Sequence, residues 1–179
     1  MSDIVLSVSI PLDDGNFLRR ECPHCIREFK IQISEEELKG IATKGIQSYL
    51  TNDEIDTSQE TTEENDLKYY CPYCGQEALV TSWWTKEQLA YMEVYAKNIM
   101  ARLVNEHLIK PLNRSSNKSS GMMSISFKGE EMKYEEPWIS EEVNDMSVFK
   151  LPCCNKNIKI IEDLTKNVFC FYCGFELNK

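Results

Sequence analysis

The chain has 179 residues, of which 42% are hydrophobic and 27% are charged, so it can bury a modest core in one or two domains. The formal net charge of −9 disfavours generic nucleic-acid binding, which neutralises phosphates with lysine and arginine, and it favours a protein partner. No apolar run approaches the roughly 18 residues of a membrane span, and the N-terminal segment begins with an acid rather than a base. We therefore expect a cytoplasmic protein without membrane contact.

The first third of the chain predicts two strands, a short helix and a loop. Residues 4–10 are rich in β-branched side chains and residues 29–33 alternate between apolar and polar positions, so each predicts a strand. Ser34 and Glu37 have the spacing of a capping box, which predicts a helix after Ser34. Residues 51–66 hold seven acids and no base, and this composition indicates a loop.

The middle of the chain predicts one long helix. Thr85 and Gln88 form a second capping-box pattern, and an apolar stripe with helical period follows. The stripe consists of Leu89, Met92, Ala96, Ile99 and Leu103. Because proline interrupts regular helical hydrogen bonding, Lys110-Pro111 predicts the end of this helix. Residues 113–121 are rich in serine and asparagine, so we place a domain boundary there.

These patterns predict an α+β protein with two small β modules and one long central helix. The first domain spans residues 1–112, with an insert at 34–66 and the helix at 85–110. The second domain spans residues 122–179. Its strand candidates are residues 123–127, 147–151, 157–161 and 168–171, and an acidic segment at 130–145 includes Trp138.

All eight cysteines occur in four close pairs. The pairs are Cys22/Cys25, Cys71/Cys74, Cys153/Cys154 and Cys170/Cys173. A thiol oxidoreductase requires one active dithiol, whereas two tetrahedral zinc sites require eight thiolates. Gly75 and Gly174 follow two of the pairs and can adopt the positive φ of a metal-binding turn. Strand-forming residues follow Cys74, whereas a glutaredoxin-type dithiol lies at a helix N-terminus, so the pattern favours zinc.

The spacing groups these cysteines into two predicted sites for two zinc ions. The first site consists of Cys22, Cys25, Cys71 and Cys74, and the second of Cys153, Cys154, Cys170 and Cys173. Cys153 and Cys154 are adjacent, and adjacent side chains point apart in an extended chain, so an alternative is that only one of them binds. Iron is a minor alternative to zinc.

The tail LPCCNKNIKIIEDLTKNVFCFYCGFEL resembles a zinc ribbon of the transcription factor IIB type, and the first site resembles a ribbon with a long insert. This resemblance to the zinc-ribbon superfamily covers about half of the chain. It implies that the cysteines named above are metal ligands, and it implies a local fold but no particular function. The chain departs from the family at Cys153-Cys154, where zinc ribbons usually have Cys-x-x-Cys.

Four other residues have both a functional and a structural interpretation. His24 lies within the first cysteine turn, but thiolates already fill the four positions of that site, so it is not a predicted ligand. His107 lies near the helix end with no second histidine nearby, so neither a catalytic nor a ligand role is predicted for it. Trp83 and Trp84 are able to stack on bases, but packing between the ribbon and the helix is the favoured interpretation.

Basic residues concentrate around the first cysteine turn and along the helix. They are Arg19, Arg20, Arg27 and Lys30 at the turn, and Lys97, Arg102, Lys110 and Arg114 on or after the helix. Such clusters can contact nucleic acid. The favoured interpretation is a solvated face balanced by acids, namely Glu21, Glu28, Glu93 and Glu106.

The sequence lacks the short motifs of common catalytic sites, and zinc bound by four thiolates has no open position, so we predict that the protein is not an enzyme. We predict a non-catalytic adaptor or accessory subunit that binds a protein partner through its ribbon faces and helix. Because two ribbons offer little apolar surface to so long a helix, part of the helix is expected to contact a partner or a second copy. The alternative is a nucleic-acid-associated regulator, and a thiol oxidoreductase using Cys22/Cys25 or Cys71/Cys74 comes third.

Overall fold

The structure is a computed structural model that describes residues 9–50, 68–116, 128–161 and 167–177. Most of the predicted strand at 4–10 lies outside these residues, as do the acidic loop at 51–66 and the strand at 123–127. Within the described residues, no helix is both long and apolar enough to cross a membrane.

In the described ranges, eight short strands form four antiparallel hairpins, and each hairpin carries one cysteine pair at its turn. The strands are β1 (Phe17–Glu21), β2 (Glu28–Gln32), β3 (Lys68–Tyr70), β4 (Glu77–Leu79), β5 (Ser147–Leu151), β6 (Lys156–Ile160), β7 (Val168–Phe169) and β8 (Glu176–Leu177). The strand predictions at 29–33, 147–151, 157–161 and 168–171 are confirmed to within two residues.

The helices complete an α+β architecture, as predicted. They are α1 (Glu35–Leu50), α2 (Lys86–Val104) and α3 (Lys110–Ser116), with a π-helical segment, Asn105–Ile109, between the last two. Both predicted capping boxes are present: Ser34 Oγ accepts from Glu37 N–H at 3.2 Å, and Thr85 Oγ1 accepts from Gln88 N–H at 3.2 Å. Each cap satisfies a backbone N–H that a helix start otherwise leaves unpaired.

The prediction that Lys110-Pro111 ends the long helix is wrong, because helical structure continues from α2 into α3. In a regular α-helix the proline ring clashes with the carbonyl four residues earlier. Here Lys110 N–H bonds to Asn105 O, five residues earlier, so the turn before Pro111 is wider than an α-turn. The wider turn lets the chain pass the proline without a break.

Strands β2 and β6 pair with each other, which joins two of the hairpins into one sheet with the order β1-β2-β6-β5. In this antiparallel pairing Lys30 lies opposite Lys159, and Ile31 lies opposite Ile158. Strand β2 belongs to the predicted domain 1–112 and β6 to the predicted domain 122–179. The sheet therefore crosses the boundary placed at 113–121.

The hairpins of β1–β4 carry the first four cysteines and those of β5–β8 carry the second four, and we call these two sets of hairpins the halves. The two halves also contact each other reciprocally. Tyr70 N–H donates to Phe171 O at 2.9 Å, and Phe169 N–H donates to Pro72 O at 2.9 Å. Tyr70 precedes Cys71 in the sequence as Phe169 precedes Cys170, so exchanging the halves converts one bond into the other. The halves thus lie about an approximate two-fold axis, like the subunits of a symmetric dimer.

Aromatic rings from both halves form the centre of the core. The Trp83 ring lies 5.8 Å from the Phe29 ring and 5.4 Å from the Phe171 ring, measured between centroids. Trp83 is 0% exposed and Trp84 is 6% exposed, so neither ring is available to stack on a base. Both tryptophans are therefore packed in the core, as predicted, and the ring contacts of Trp83 are with residues of the two β modules.

The acidic segment after the predicted linker runs as an extended chain along the long helix, and we call residues 129–145 the strap. Three asparagines of the helix each bind both the N–H and the C=O of one strap residue. The pairs are Asn113 with Gly129, Asn105 with Met132 and Asn98 with Glu135, at donor–acceptor distances from 2.6 to 3.0 Å. The strap therefore runs antiparallel to the helix.

The π-helical segment keeps these asparagines on one side of the helix. Asn98 and Asn105 are seven residues apart, which is close to two α-helical turns, but Asn105 and Asn113 are eight apart. A π-turn accommodates one extra residue, so the longer spacing still returns the side chain to the same face. The bound strap residues Gly129, Met132 and Glu135 recur every third position.

Candidate metal centres

The first cluster forms where the β1–β2 turn meets the β3–β4 turn. The sulfurs of Cys22, Cys25, Cys71 and Cys74 all lie within 4.8 Å of one another. Cys22 Sγ lies 3.8 Å from Cys74 Sγ, and Cys25 Sγ lies 3.6 Å from Cys71 Sγ. Tetrahedral zinc with Zn–S bonds of about 2.3 Å separates its sulfurs by about 3.8 Å, so the cluster has the size of a four-thiolate metal site.

Backbone N–H groups point at these sulfurs and prepare them to carry negative charge. Cys22 Sγ accepts from His24 N–H and Cys25 N–H, each at 3.4 Å, and Cys71 Sγ accepts from Tyr73 N–H at 3.4 Å. Hydrogen bonds of this kind favour the thiolate form, which is the form that binds metal.

All four cysteine turns have a residue with positive φ directly after their last cysteine. These residues are Ile26 (58°), Gly75 (70°), Asn155 (51°) and Gly174 (71°). A Cβ on Gly75 would lie 3.0 Å from the Phe169 ring, and one on Gly174 would lie 2.9 Å from the Tyr70 ring. Packing as well as conformation therefore requires glycine at these two positions, whereas Ile26 and Asn155 hold the same geometry without it.

The second cluster brings together Cys153, Cys154, Cys170 and Cys173, again with all sulfurs within 4.8 Å of one another. Cys153 Sγ lies 3.7 Å from Cys173 Sγ. The two adjacent cysteines lie in a turn rather than in an extended chain, so both reach the cluster. The geometry gives no support to the alternative that only one of them faces the site.

An alignment of the β1–β2 turn with the β5–β6 turn explains why Cys153 and Cys154 are adjacent. Cys22 N–H bonds to Arg27 O at the base of the first turn, and Leu151 pairs with Lys156 at the base of the other. Leu151 thus takes the place of Cys22, and both are 0% exposed. Cys153 then takes the place of His24, so the sulfur that Leu151 lacks is supplied two residues later.

Each cluster requires a cation if all its cysteines are to be ionised. Burial raises the pKa of Cys22 and Cys71, while the pKa of Cys25 is lowered, despite its own burial, by the Arg27 N–H and the other cysteines. In the second cluster burial and the neighbouring thiols raise the pKa of Cys153 to about 11, and contact with Cys173 raises that of Cys154 to about 12. A divalent cation removes this repulsion and deprotonates coordinating thiols.

Neither histidine belongs to a cluster. His24 is exposed, and its Nε2 lies 3.1 Å from the backbone oxygen of Glu77. His107 is exposed within the π-helical segment. The two groups of potential metal-binding side chains among the described residues contain cysteine only, which agrees with the prediction for both histidines.

The basic residues around the first turn do not form a solvated face. Arg19 binds Glu28, Glu142 and Asp145 at 2.7 Å each, and Arg27 lies 3.6 Å over the Tyr73 ring. Arg20 and Lys30 are 1% and 0% exposed. The interpretation as a solvated face is therefore wrong for Arg20 and Lys30, which are buried, whereas Arg19 pairs with Glu28, one of the acids predicted to balance the cluster.

A buried charge cluster lies at the approximate two-fold axis, and sequence reasoning missed it. Asp13 Oδ2 accepts from Lys30 Nζ at 2.8 Å and from Lys159 Nζ at 2.9 Å. Lys30 also binds Glu142 and Asp145 and donates to Val143 O, so the cluster holds the end of the strap against the sheet. Although burial opposes it, the surrounding carboxylates raise the pKa of Lys30, which keeps the side chain charged.

The three helix asparagines are a further feature that the sequence reading passed over. Their spacing of seven and eight residues is visible in the sequence, and asparagine is a poor helix former, so three asparagines at this spacing are a signal that sequence analysis could use.

No family model, curated protein or solved structure matches this chain. The two four-cysteine clusters and their hairpins are consistent with zinc-ribbon-like modules on geometry alone.

Proposed function

We propose that the protein is a non-catalytic adaptor or accessory subunit, in which two structural zinc ions stabilise the fold and the strap and long helix bind a protein partner. The observation that carries this proposal is the way the strap is held. The helix asparagines bind its backbone, and its aromatic side chains face solvent, with Trp138 73% exposed and Tyr134 57% exposed.

Zinc is the metal that the donor set fits best. Both clusters offer four thiolates at tetrahedral spacing, and such closed sites are structural because no position is open to substrate. A ribbon of the transcription factor IIB type is the nearest description of the second site. Each ion would cross-link short hairpins that bury too little surface to be stable alone.

An extended segment with a fixed backbone and free side chains suits recognition by another protein. Fixing the backbone in advance reduces the entropy lost on binding, and exposed tryptophan and tyrosine are frequent energetic centres of interfaces. Leu108 and Leu112 of the helical region are 54% and 43% exposed and extend the apolar surface of the helix. We infer that the partner offers an apolar pocket for Trp138.

The strap also indicates the charge of its partner. Apart from Asp145, which pairs with Arg19, its exposed acids are Glu130, Glu131, Glu135, Glu136 and Glu141. A basic partner surface would complement them and speed association at low ionic strength. The pairing of Arg19, Arg27 and Lys30 within the chain supports this adaptor over the nucleic-acid regulator.

The test compares partner capture by three purified forms of the chain: wild type, Trp138→Ala and a matched control, Val148→Ala. Val148 is 59% exposed on β5 and lies outside the strap. We expect one protein to be captured by wild type and control and to be reduced about tenfold or more by Trp138→Ala, because a central tryptophan contributes much of the affinity. Equal capture by all three would contradict the proposal, and salt-sensitive retention of arbitrary DNA or RNA would favour the regulator.

A further inference from the structure

A cavity of about 340 Å³ lies between the four-stranded sheet, α1, the turn after β4 and the last cysteine turn. Its walls are mainly apolar and aromatic, with contributions from Ile33, Ile41, Val80 and Phe171. This volume is at the lower end for pockets that hold small organic molecules. The cavity is distinct from both metal centres, since none of the eight cysteines lines it.

One wall of the cavity carries a buried cation without a counter-ion among the described residues. Arg20 is 1% exposed, and its Nε and Nη1 meet no hydrogen-bond acceptor in the part of the chain that the structure describes. The neighbouring cations differ, because Arg19 and Lys30 bind carboxylates. A buried charge without a partner is strongly unfavourable, so this guanidinium is complementary to an anion that enters the cavity.

Two features hold Arg20 ready to bind. Its guanidinium lies 4.2 Å over the Trp84 ring, and this stacking orients the planar group. Glu37 also lines the cavity, but Glu37 Oε2 accepts from Ser34 N–H at 2.9 Å as part of the helix cap. The carboxylate of the lining is thus engaged in capping α1.

We propose that this cavity binds a small organic carboxylate, with the carboxylate on Arg20 and an apolar or aromatic body against Ile33, Ile41 and Phe171. The planar fork of arginine matches a carboxylate in two parallel hydrogen bonds. The mainly apolar walls favour a ligand with an apolar body over a bare inorganic anion, which would lose its hydration without compensation. This site is independent of the proposed adaptor function.

The test titrates phenylacetate, and its neutral analogue phenylacetamide, into the metal-loaded full-length chain while the Arg20 Nε–H and Ile41 methyl signals are followed by NMR. We expect saturable shifts of both signals with phenylacetate and none with phenylacetamide. Arg20→Lys, which keeps the charge but loses the fork, should weaken binding about tenfold or more. Ile41→Trp, which fills the cavity, should abolish it, and Val148→Ala should bind as wild type does.

Equal shifts with acid and amide, or no saturable shift in the wild type, would overturn the proposal. So would unchanged binding in both cavity variants. A further variant replaces the seven acids of residues 51–66 by amides, namely Asp53, Glu54, Asp56, Glu60, Glu63, Glu64 and Asp66. If phenylacetate binds this variant but not the wild type, the chain supplies its own carboxylate to Arg20 and the proposal of a free ligand is wrong.

Discussion

At the scale of single residues, the second metal cluster differs from the first by the position of one sulfur. Leu151 occupies the place of Cys22 and fills the core there, and Cys153 supplies a sulfur from the place of His24. The turn can do this because its residues leave the strand path, so adjacent side chains need not point to opposite faces. The two arrangements are alternative ways to bring two sulfurs to one ion.

This equivalence predicts a rescue. Cys153→Ser should reduce the proposed zinc content from two ions to about one, because three thiolates do not close a structural site. Adding Leu151→Cys to that variant should restore two zinc ions, since the new cysteine and Cys154 have the Cys-x-x-Cys spacing of the first turn. Elemental mass spectrometry of the purified proteins measures the zinc.

The control for the rescue is Pro152→Ala, which changes the same exposed turn but removes no sulfur and should retain two zinc ions. If Cys153→Ser alone kept two ions, Cys153 would not be a ligand. If the double variant stayed at one, the equivalence of Leu151 and Cys22 would be wrong.

The candidate metal ligands could be predicted from the sequence at this scale, because ligand chemistry depends on residue type and short spacing. The grouping of all eight cysteines follows from their four pairs, and the structure brings the same two sets together. The role of Ile26 and Asn155 was not readable, since neither is glycine, yet both adopt the positive φ of the turn. The equivalence of Ile26 and Asn155 appears only when the hairpins are aligned, so that residues 22–26 (CPHCI) match residues 151–155 (LPCCN).

At the scale of elements, the long helix and the strap depend on each other. The helix supplies a row of asparagines that recognises backbone groups rather than side chains, so the strap needs no regular secondary structure to be held in place. Asn105 is 0% exposed and binds both backbone groups of Met132. Those two groups would lose their protein partners if the side chain were removed.

Asn105→Ala should therefore lower the free energy of unfolding by about 1–3 kcal/mol, because it leaves the strap's polar groups unsatisfied next to the helix. It should also increase amide hydrogen exchange at Met132. Urea unfolding and exchange NMR measure the two effects. Asn98→Ala is the matched comparison, and its effect should be smaller because the Asn98–Glu135 pair is exposed to water. Equal effects of the two variants would contradict this ranking.

The helix start was predictable and its end was not. Thr85 and Gln88 form a local cap that sequence spacing reveals. The end was misread at Pro111 because a π-turn, which tertiary contacts of Asn105 and Asn113 stabilise, overrides the local effect of proline. Such an override is invisible to any rule that considers neighbouring residues only.

At the scale of the whole molecule, the two ribbon-like halves pack against each other about an approximate two-fold axis, as the subunits of a symmetric dimer do. The β2–β6 pairing, the reciprocal bonds of Tyr70 and Phe169, and the charge cluster at Asp13 all cross between the halves. The halves share one hydrophobic cluster, in which Trp83 of the first contacts Phe171 of the second. Loss of either metal centre is therefore expected to destabilise both.

We predict that thermal unfolding is a single transition, with circular dichroism and tryptophan fluorescence giving the same midpoint. Cys74→Ser, which removes a sulfur from the first cluster, should also shift or broaden the NMR signals of Ile158 and Phe171 in the other half. Cys173→Ser should likewise alter the signals of Phe29. Retention of native signals in the opposite half of either variant, or two separate midpoints, would contradict a shared core.

The sequence by itself determined the α+β class, the eight cysteines and their grouping, and the starts of α1 and α2, because these depend on residue type and on spacings of a few positions. Only the tertiary structure decided that the two halves share a sheet, that Lys30 and Lys159 meet over Asp13, and that the strap lies along the asparagine row. These contacts join residues as many as 146 positions apart. Their stability comes from burial and from pairing across the folded chain, and neither leaves a short-range pattern in the sequence.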